Sequence, residues 1–418
     1  MNTFLIGLWA FGLFVGQNPA PTEPVRAVIY SPQGDLVYAG QGSSLVMVNT
    51  SDGSLLKKMP SGFSQVTALA LSKDGKKLAM AEGNPGQKGS IRVFHIGANR
   101  LPVGGELVFE AHKDLIHDLA FHPNGDMLAS CSYDKLVKIW SVQDKKLLQE
   151  LKDHSDAVNS LGFNHDGTLF ASTGSDRAVK VWEVASWKKL HTLSDPTDWM
   201  YTLHWHPSRN LLAGGGVDQT IRVWDISKDS AKLQNSVFAH SAPVRQLRWN
   251  PTGSHMVSVG EDKSWKVWDT KKYSEALTKL GLADTPFCVA FHPAKQEVAI
   301  GKMDSKLDSL DATNGKMLQV LLPAKKPKPV AGSITPNFMT LGTRKVLTLE
   351  AKNLQLPLSA KTSDPGVQPG KLEQSKSGAF VLEVHATPIA KVGDCKIILN
   401  SASGEQLEWN LEMDRYSR

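Results

Sequence analysis

"ASTGSDRAVKVWEV" (residues 171–184) restates, with few changes, "ASCSYDKLVKIWSV" (residues 129–142), 42 positions earlier. Each copy is an apolar run, a polar turn built around an Asp, and a second apolar run ending on Trp, which reads as two strands joined by a tight turn. Working outward, an apolar residue before a turn recurs in "YSPQG" at Tyr30, "LSKDG" at Leu71, "FHPNG" at Phe121, "FNHDG" at Phe163, "WHPSR" at Trp205, "WNPTG" at Trp249 and "FHPAK" at Phe291. The seven anchors lie 41, 50, 42, 42, 44 and 42 residues apart, and the long step is assigned to the Gly-rich "EGNPGQKGS" at residues 82–90. Each unit reads as four short strands; in the fourth they are "AVNSLGF", "LFASTG", "AVKVWEV" and "KKLHTL". A period of this length indicates repeated β units that bury their apolar faces only by stacking on one another.

The units resemble the WD40 repeat family. The resemblance is carried by "IWSV" (Trp140), "VWEV" (Trp182), "VWDI" (Trp224) and "VWDT" (Trp268), and by His112, His154 and His240 at the family's Gly-His position, and it covers residues 24–322. It implies an all-β chain whose main domain is a seven-bladed WD40 β-propeller. A buried indole N–H must find an acceptor, since an isolated buried donor costs about 1–3 kcal/mol. In three units a Ser lies ten residues before the Trp and an Asp six before it: Ser130, Asp134, Trp140; Ser172, Asp176, Trp182; Ser258, Asp262, Trp268. In the family these positions join the His in a chain of Asp to His to Ser to Trp. The resemblance therefore implies three complete networks, with His112, His154 and His240 at their centres.

Unit five keeps Asp218 and Trp224 but has Gly214 for the Ser and Pro196 for the His. Units one, two and seven carry Ala39, Met80 and Ile300 at the hydroxyl position. These four units are expected to rely on packing alone, and Asp176→Ala is expected to destabilise more than Asp218→Ala. Unit seven owns an outer strand, "KMLQVLL" (residues 316–322), so closure by packing of unit one on unit seven is expected rather than strand exchange. A Ser, His and Asp also suggest a hydrolytic triad, but the set recurs three times with an indole as terminal partner and without a nucleophile-elbow glycine pattern, which favours a structural role.

The positions three and five after the network His are implied by the resemblance to face the top of the channel. They place Leu115, His117, Asn159, Trp199, Tyr201, Arg245 and Phe287 as candidate partner-binding residues, with Trp, Tyr and Arg the types that dominate binding hot spots. The competing reading is that Trp199 and Phe287 cap blade edges lacking a His. His122, His206 and His292 recur in turns about one repeat apart without carboxylates or thiols at ligand spacing, so they read as turn residues rather than metal ligands. Cys131, Cys288 and Cys395 are odd in number and widely spaced, and read as small buried side chains. No phosphate loop, metal cluster or paired-carboxylate motif is present in the sequence, and no cofactor is expected. The resulting expectation is a non-catalytic scaffold for a protein or peptide. A propeller enzyme of lactonase or lyase type, with a channel site, is the alternative.

Residues 4–15, "FLIGLWAFGLFV", precede the first charge at Glu23. The block is too short to span a bilayer and fits the apolar core of a secretory signal covering residues 1–20, which places the mature chain in the periplasm or outside the cell and leaves it no membrane span. An intracellular scaffold remains the alternative if the block is retained. The net charge is +6, but Lys and Arg alternate with Asp and Glu; the one basic run, "KKPK" (residues 325–328), reads as part of a linker at residues 323–329, and nucleic acid is not an expected partner. Residues 330–418 carry alternating segments, "RKVLTLEAK", "AFVLEVHA", "GDCKIILN" and "EQLEWNLEM", suited to a small antiparallel sandwich. Their opening, residues 333–354, resembles bacterial immunoglobulin-like modules of the IPT/TIG kind, with "AKNL" replacing the usual Gly-containing turn. This implies an immunoglobulin-like β-sandwich in an envelope or extracellular setting.

Overall fold

The computed structural model describes residues 23–323, 330–335, 338–340, 344–352, 358–374, 379–386, 393–401 and 406–414. The apolar N-terminal block and most of the "KKPK" linker, on which the export and linker expectations rest, lie outside them. The described residues divide into two compact units, one within residues 22–325 and one within residues 326–418. Every regular element among the described residues is a strand.

In the larger unit the strands form seven four-stranded antiparallel sheets, each built from four strands consecutive in sequence. The first strands are Val25–Tyr30, Gln65–Leu71, Ile116–Phe121, Val158–Phe163, Met200–Trp205, Val244–Trp249 and Pro286–Phe291. Each packs against the first strand of the next sheet, and Pro286–Phe291 packs against Val25–Tyr30, so the sheets form a closed ring with these strands innermost. Second strands such as Leu169–Gly174 are buried throughout, whereas fourth strands such as Ala231–Phe238 are mostly exposed. That gradient follows from stacking sheets face to face. The apolar clusters accordingly straddle neighbours: Ala171, Val181 and Leu193 of sheet four meet Met200, Leu203 and Trp205 of sheet five.

Closure occurs without strand exchange. Val25, Val37 and Val46 of sheet one share a core with Cys288, Ala299 and Leu307 of sheet seven. The Gln41 side chain donates to the Ser305 carbonyl at 3.0 Å, and the Cys288 thiol contacts the Val25 carbonyl at 3.4 Å.

Polar side chains two places beyond the start of the inner strands also link sheets. Asp118 accepts from Ser160 Oγ (2.8 Å) and Leu161 N, Ser160 Oγ accepts from Leu203 N (3.1 Å), and Gln246 Oε1 accepts from Val289 N (2.7 Å). Opposite the network end, the turn histidines clasp the next sheet. His122 Nε2 lies 3.1 Å from the Gly167 carbonyl, and His292 sits against Gly34 so closely that a Cβ there would lie 2.2 Å from Nε2. Gly34 has φ +79°, so the turn and the clasp both require glycine.

The long step at unit two has a different origin from the one expected. Glu82, Gly83, Gly89 and Ser90 lie within strands Lys77–Gly83 and Gly89–Ile96; longer strands, including the eleven-residue Pro102–His112, absorb much of the extra length. The smaller unit contains two four-stranded sheets, one including Arg344–Lys352 and Phe380–Ala386, the other including Gly393–Ser401 and Gln406–Asp414. Leu347, Phe380 and Leu382 from the first share a core with Ile397, Trp409 and Leu411 from the second. The strands Leu358–Thr362 and Val367–Gln374 were not foreseen; the latter contains Pro369 and Gly370, which disguise it as a turn. Part of the IPT/TIG-like opening, including Pro336 and Leu354, lies outside the described residues.

Candidate functional site

Two polar layers lie at the network end of the ring. The deeper one is structural. In sheet three His112 Nδ1 is 2.9 Å from Asp134 Oδ2, His112 Nε2 is 2.8 Å from Ser130 Oγ, and the Trp140 indole donates to Ser130 Oγ at 2.9 Å. Sheet six repeats this with His240, Asp262, Ser258 and Trp268, and adds Ser264 Oγ at 2.9 Å from His240 Nδ1. The donors order themselves: indole N–H to Ser Oγ, Ser O–H to Nε2, Nδ1–H to carboxylate, which assigns the neutral Nδ1–H tautomer. Burial holds His112, His154 and His240 below the ordinary histidine value, offset in part by their carboxylates. Burial pushes Asp176 upward, but the bond from His154 and the charges beside it prevail and hold it down at about 2.

Sheet four departs from the expected pattern at its last link. His154 joins Asp176 (2.8 Å) and Ser172 (2.6 Å), but among the described residues the Trp182 indole makes no bond to Ser172; its ring lies beside His154, centroids 6.3 Å apart. Two of the three expected networks therefore have all three links, and one has two.

The expectation of packing alone is overturned for sheets two, five and seven. In sheet five Asp218 accepts from Arg222 Nη1 (2.7 Å) and from Thr197 N (3.0 Å), and the Trp224 indole donates to Asp195 Oδ2 (2.9 Å). The Arg pairs with the turn Asp four residues before it, as Lys180 does with Asp176 beside His154 in sheet four, and the backbone bond matches Lys113 N to Asp134 and Ser241 N to Asp262. In sheet two Arg92 pairs with the buried Glu82 at 2.5 Å, and in sheet seven Lys302 pairs with Asp308 at 2.5 Å with both side chains buried. Apolar packing cannot satisfy the donors and acceptors that collect where hairpin turns cover a core, and these pairs do so.

The second layer lines the channel mouth. Every innermost strand shifts register against its neighbour near its start: between Val25 and Ala27, Val66 and Ala68, Ile116 and Asp118, Val158 and Ser160, Met200 and Thr202, Val244 and Gln246, and Pro286 and Cys288. The residues left unpaired are Arg26, Thr67, His117, Asn159, Tyr201, Arg245 and Phe287. A bulge re-aims the side chain it carries, and repeated around a ring it presents one residue per sheet.

Four of the seven form a continuous stack. Arg245 lies over Tyr201 (5.2 Å) and Phe287 (5.3 Å), and Arg26 lies over Phe287 (4.9 Å). Arg245 Nε is 2.8 Å from Glu261 Oε1 but does not aim its N–H at it. The Arg26 and His117 side chains each bury a ring or guanidinium nitrogen, Arg26 Nε and His117 Nε2, without a hydrogen-bond partner among the described residues. Burial, with Arg245 beside it, lowers the Arg26 value. Burial and the Arg26 and Arg245 charges, opposed by Asp114, push His117 down to about 4, so its ring is neutral at pH 7.

Of the candidate partner-binding residues, His117, Tyr201, Arg245 and Phe287 meet at this mouth. Leu115 does not serve as expected: it is buried, packed near Gly83. The Asn159 amide is engaged, donating to the Met200 carbonyl at 2.8 Å and to Ser175 Oγ at 3.3 Å. Trp199 is 40% exposed. Sequence reasoning missed Arg26 and Thr67 because it counted forward from the network His, which units one and two lack. Counting four residues back from the turn anchors Tyr30, Leu71, Phe121, Phe163, Trp205, Trp249 and Phe291 reaches all seven. The three cysteines are buried, and no group of three or more His, Cys, Asp or Glu among the described residues is placed to hold a metal ion.

The family model described as WD domain, G-beta repeat matches residues 106–141, 145–183, 187–225 and 231–269. The target of rapamycin complex subunit wat1 of Schizosaccharomyces pombe is 32% identical over 120 residues, 28% of this chain and 36% of the relative. The human intraflagellar transport protein 122 homolog is 37% identical over 123 residues, 29% of this chain and 9% of the relative. The human NACHT domain- and WD repeat-containing protein 1 is 26% identical over 128 residues, 31% of this chain and 8% of the relative. The chain thus spans little more than a third, or less, of the length of these curated relatives.

Proposed function

We propose that residues 24–322 are a seven-bladed WD40 propeller acting as a non-catalytic, exported interaction platform that seats a protein or peptide at the mouth ring. The observation that carries this is the bulge at one register in all seven innermost strands, presenting Arg26, His117, Tyr201, Arg245 and Phe287 together. Stacked Arg, Tyr and Phe side chains beside the exposed Trp199 have the composition of binding hot spots. Two of the similar proteins are named as a complex subunit and a transport protein, which agrees with a role in assembly. Export is supported by the apolar block at residues 4–15, and the IPT/TIG-like reading of residues 330–418 by two sheets sharing one core.

The test is capture from the native cell envelope with a chain beginning at Pro21, wild type against the double substitution Trp199→Ala, Arg245→Glu. Proteins held by wild type and lost by a variant with an unchanged circular dichroism spectrum are the expected result. Retention of the same set by both would reject the mouth as the platform.

A further inference from the structure

We infer that Arg26 and Arg245 form a seat for a carboxylate, so that the partner segment is an acidic peptide placing an Asp or Glu side chain at the channel mouth; this rests on the platform reading above. Arg26 is the informative residue. The side chain is partly buried, its buried Nε has no hydrogen-bond partner, and it forms no ion pair among the described residues. A buried cation without a counter-charge is costly, and here a second guanidinium lies against the same Phe287 ring and adds its like charge.

The stack holds both planes. Phe287 and Tyr201 support the guanidinium groups from their faces, which leaves the edges, where the donors lie, for a planar acceptor. Arginine is suited to this because its donors form a rigid fork matching a carboxylate. The neighbouring acids do not complete Arg26. Glu261 lies on Arg245; Asp114 accepts from Gly86 N and Leu115 N, and Asp198 from Trp199 N. A cationic ligand would meet two like charges, and a neutral one would leave Arg26 unpaired.

A peptide, rather than a small anion, is favoured by the surround. Tyr133, 37% exposed, stacks on His117 at 4.5 Å and feels the Arg245 charge, and Trp199 stands exposed two residues before Tyr201. These give area that only a ligand larger than one carboxylate covers.

The test is selection of a displayed library of random twelve-residue peptides on the full chain, followed by fluorescence anisotropy of enriched synthetic peptides. Enrichment in Asp and Glu is expected, with at least tenfold weaker binding on Arg26→Gln or on replacing the key Asp or Glu of the peptide by its amide. The two changes combined should cost little more than either alone. Arg26→Gln should leave the thermal midpoint unchanged or raise it, a result that a structural role for Arg26 would not give. Peptides without acidic bias, bound equally by Arg26→Gln but lost on Trp199→Ala, would overturn the carboxylate seat and leave the platform standing. Competition by free glutamate or inorganic phosphate as effective as the peptide itself would overturn the peptide assignment. Failure to select any peptide sensitive to Arg26, Tyr201, Arg245 or Trp199 would overturn both readings.

Discussion

Sheets three, four and six place a neutral histidine between a carboxylate and a serine beneath their hairpin turns; sheets two, five and seven place an ion pair in the same layer. The backbone demand is shared. Asp134, Asp176, Asp218, Asp262 and Asp304 each accept from the N–H two residues on, whether or not a histidine is present. What the repeat preserves is the turn and a need for buried polar compensation. The chemistry that meets it is interchangeable.

The two solutions should fail differently. Removing one member of a buried ion pair leaves an uncompensated charge, about 3–5 kcal/mol, whereas replacing both members by apolar residues is often neutral. Lys302→Met is therefore expected to lower stability by about 3–5 kcal/mol, because it strands Asp308, and Lys302→Met with Asp308→Leu to recover most of it. Urea midpoints measure both. A double variant as unstable as the single would mean that the pair is not what sheet seven depends on.

The ion pair of sheet five predicts the reverse of the order expected from sequence for Asp218, in that sheet, and Asp176, in sheet four. Asp218→Ala strands a buried Arg222 and is expected to cost about 3 kcal/mol or more. Asp176→Ala strands a histidine that is already neutral and removes the longer Lys180 contact (3.4 Å), but Lys180 keeps its bond to the Asp153 carbonyl, so about 1–3 kcal/mol is expected. The sequence-based ordering, Asp176→Ala the worse, would be restored if Asp218→Ala moved the urea midpoint less.

Acid separates the two classes in the same way. The network histidines are held below 6.5 in the folded state, so as pH falls from about 7 the unfolded chain takes up their protons first and stability declines. His117, His204, His206 and His292 are also lowered and act in the same direction. Asp176, held at about 2, adds stability that is intact above 3.8 and is lost as pH falls toward 2. Between pH 7.5 and 5, unfolding free energy should fall more steeply for wild type than for His154→Gln, and equally for wild type and the sheet-seven double variant. Equal slopes for wild type and His154→Gln would remove the histidine from the account.

This division also explains what the sequence made legible. The period, the turns and the Asp, Ser, His and Trp positions are local, so fixed spacing exposed them. The ion pairs are not marked by spacing: Arg222 lies four residues after Asp218 where the pattern looks for a histidine 22 residues before it, and Glu82 sits in a segment that reads as a glycine-rich insertion. Arg26 escaped for the same reason, since its unit has no histidine from which to count. The bulge between Val25 and Ala27 and the contact of Arg26 with Phe287, at the closure between sheets one and seven, bring it to the mouth.

The finest distinction lies within the histidine class. Trp140→Phe and Trp182→Phe remove the same indole volume from buried positions, but only Trp140 donates to its serine. The packing losses therefore nearly cancel in the comparison, and the remaining difference reports the indole bond, about 0.5–1.5 kcal/mol greater cost for Trp140→Phe. Equal costs, measured by urea midpoints with unchanged m-values, would mean that Ser130 loses nothing when the indole is withdrawn. The chain of bonds would then end, energetically, at the histidine in all three sheets, and sheet four would be the complete form rather than the shortened one.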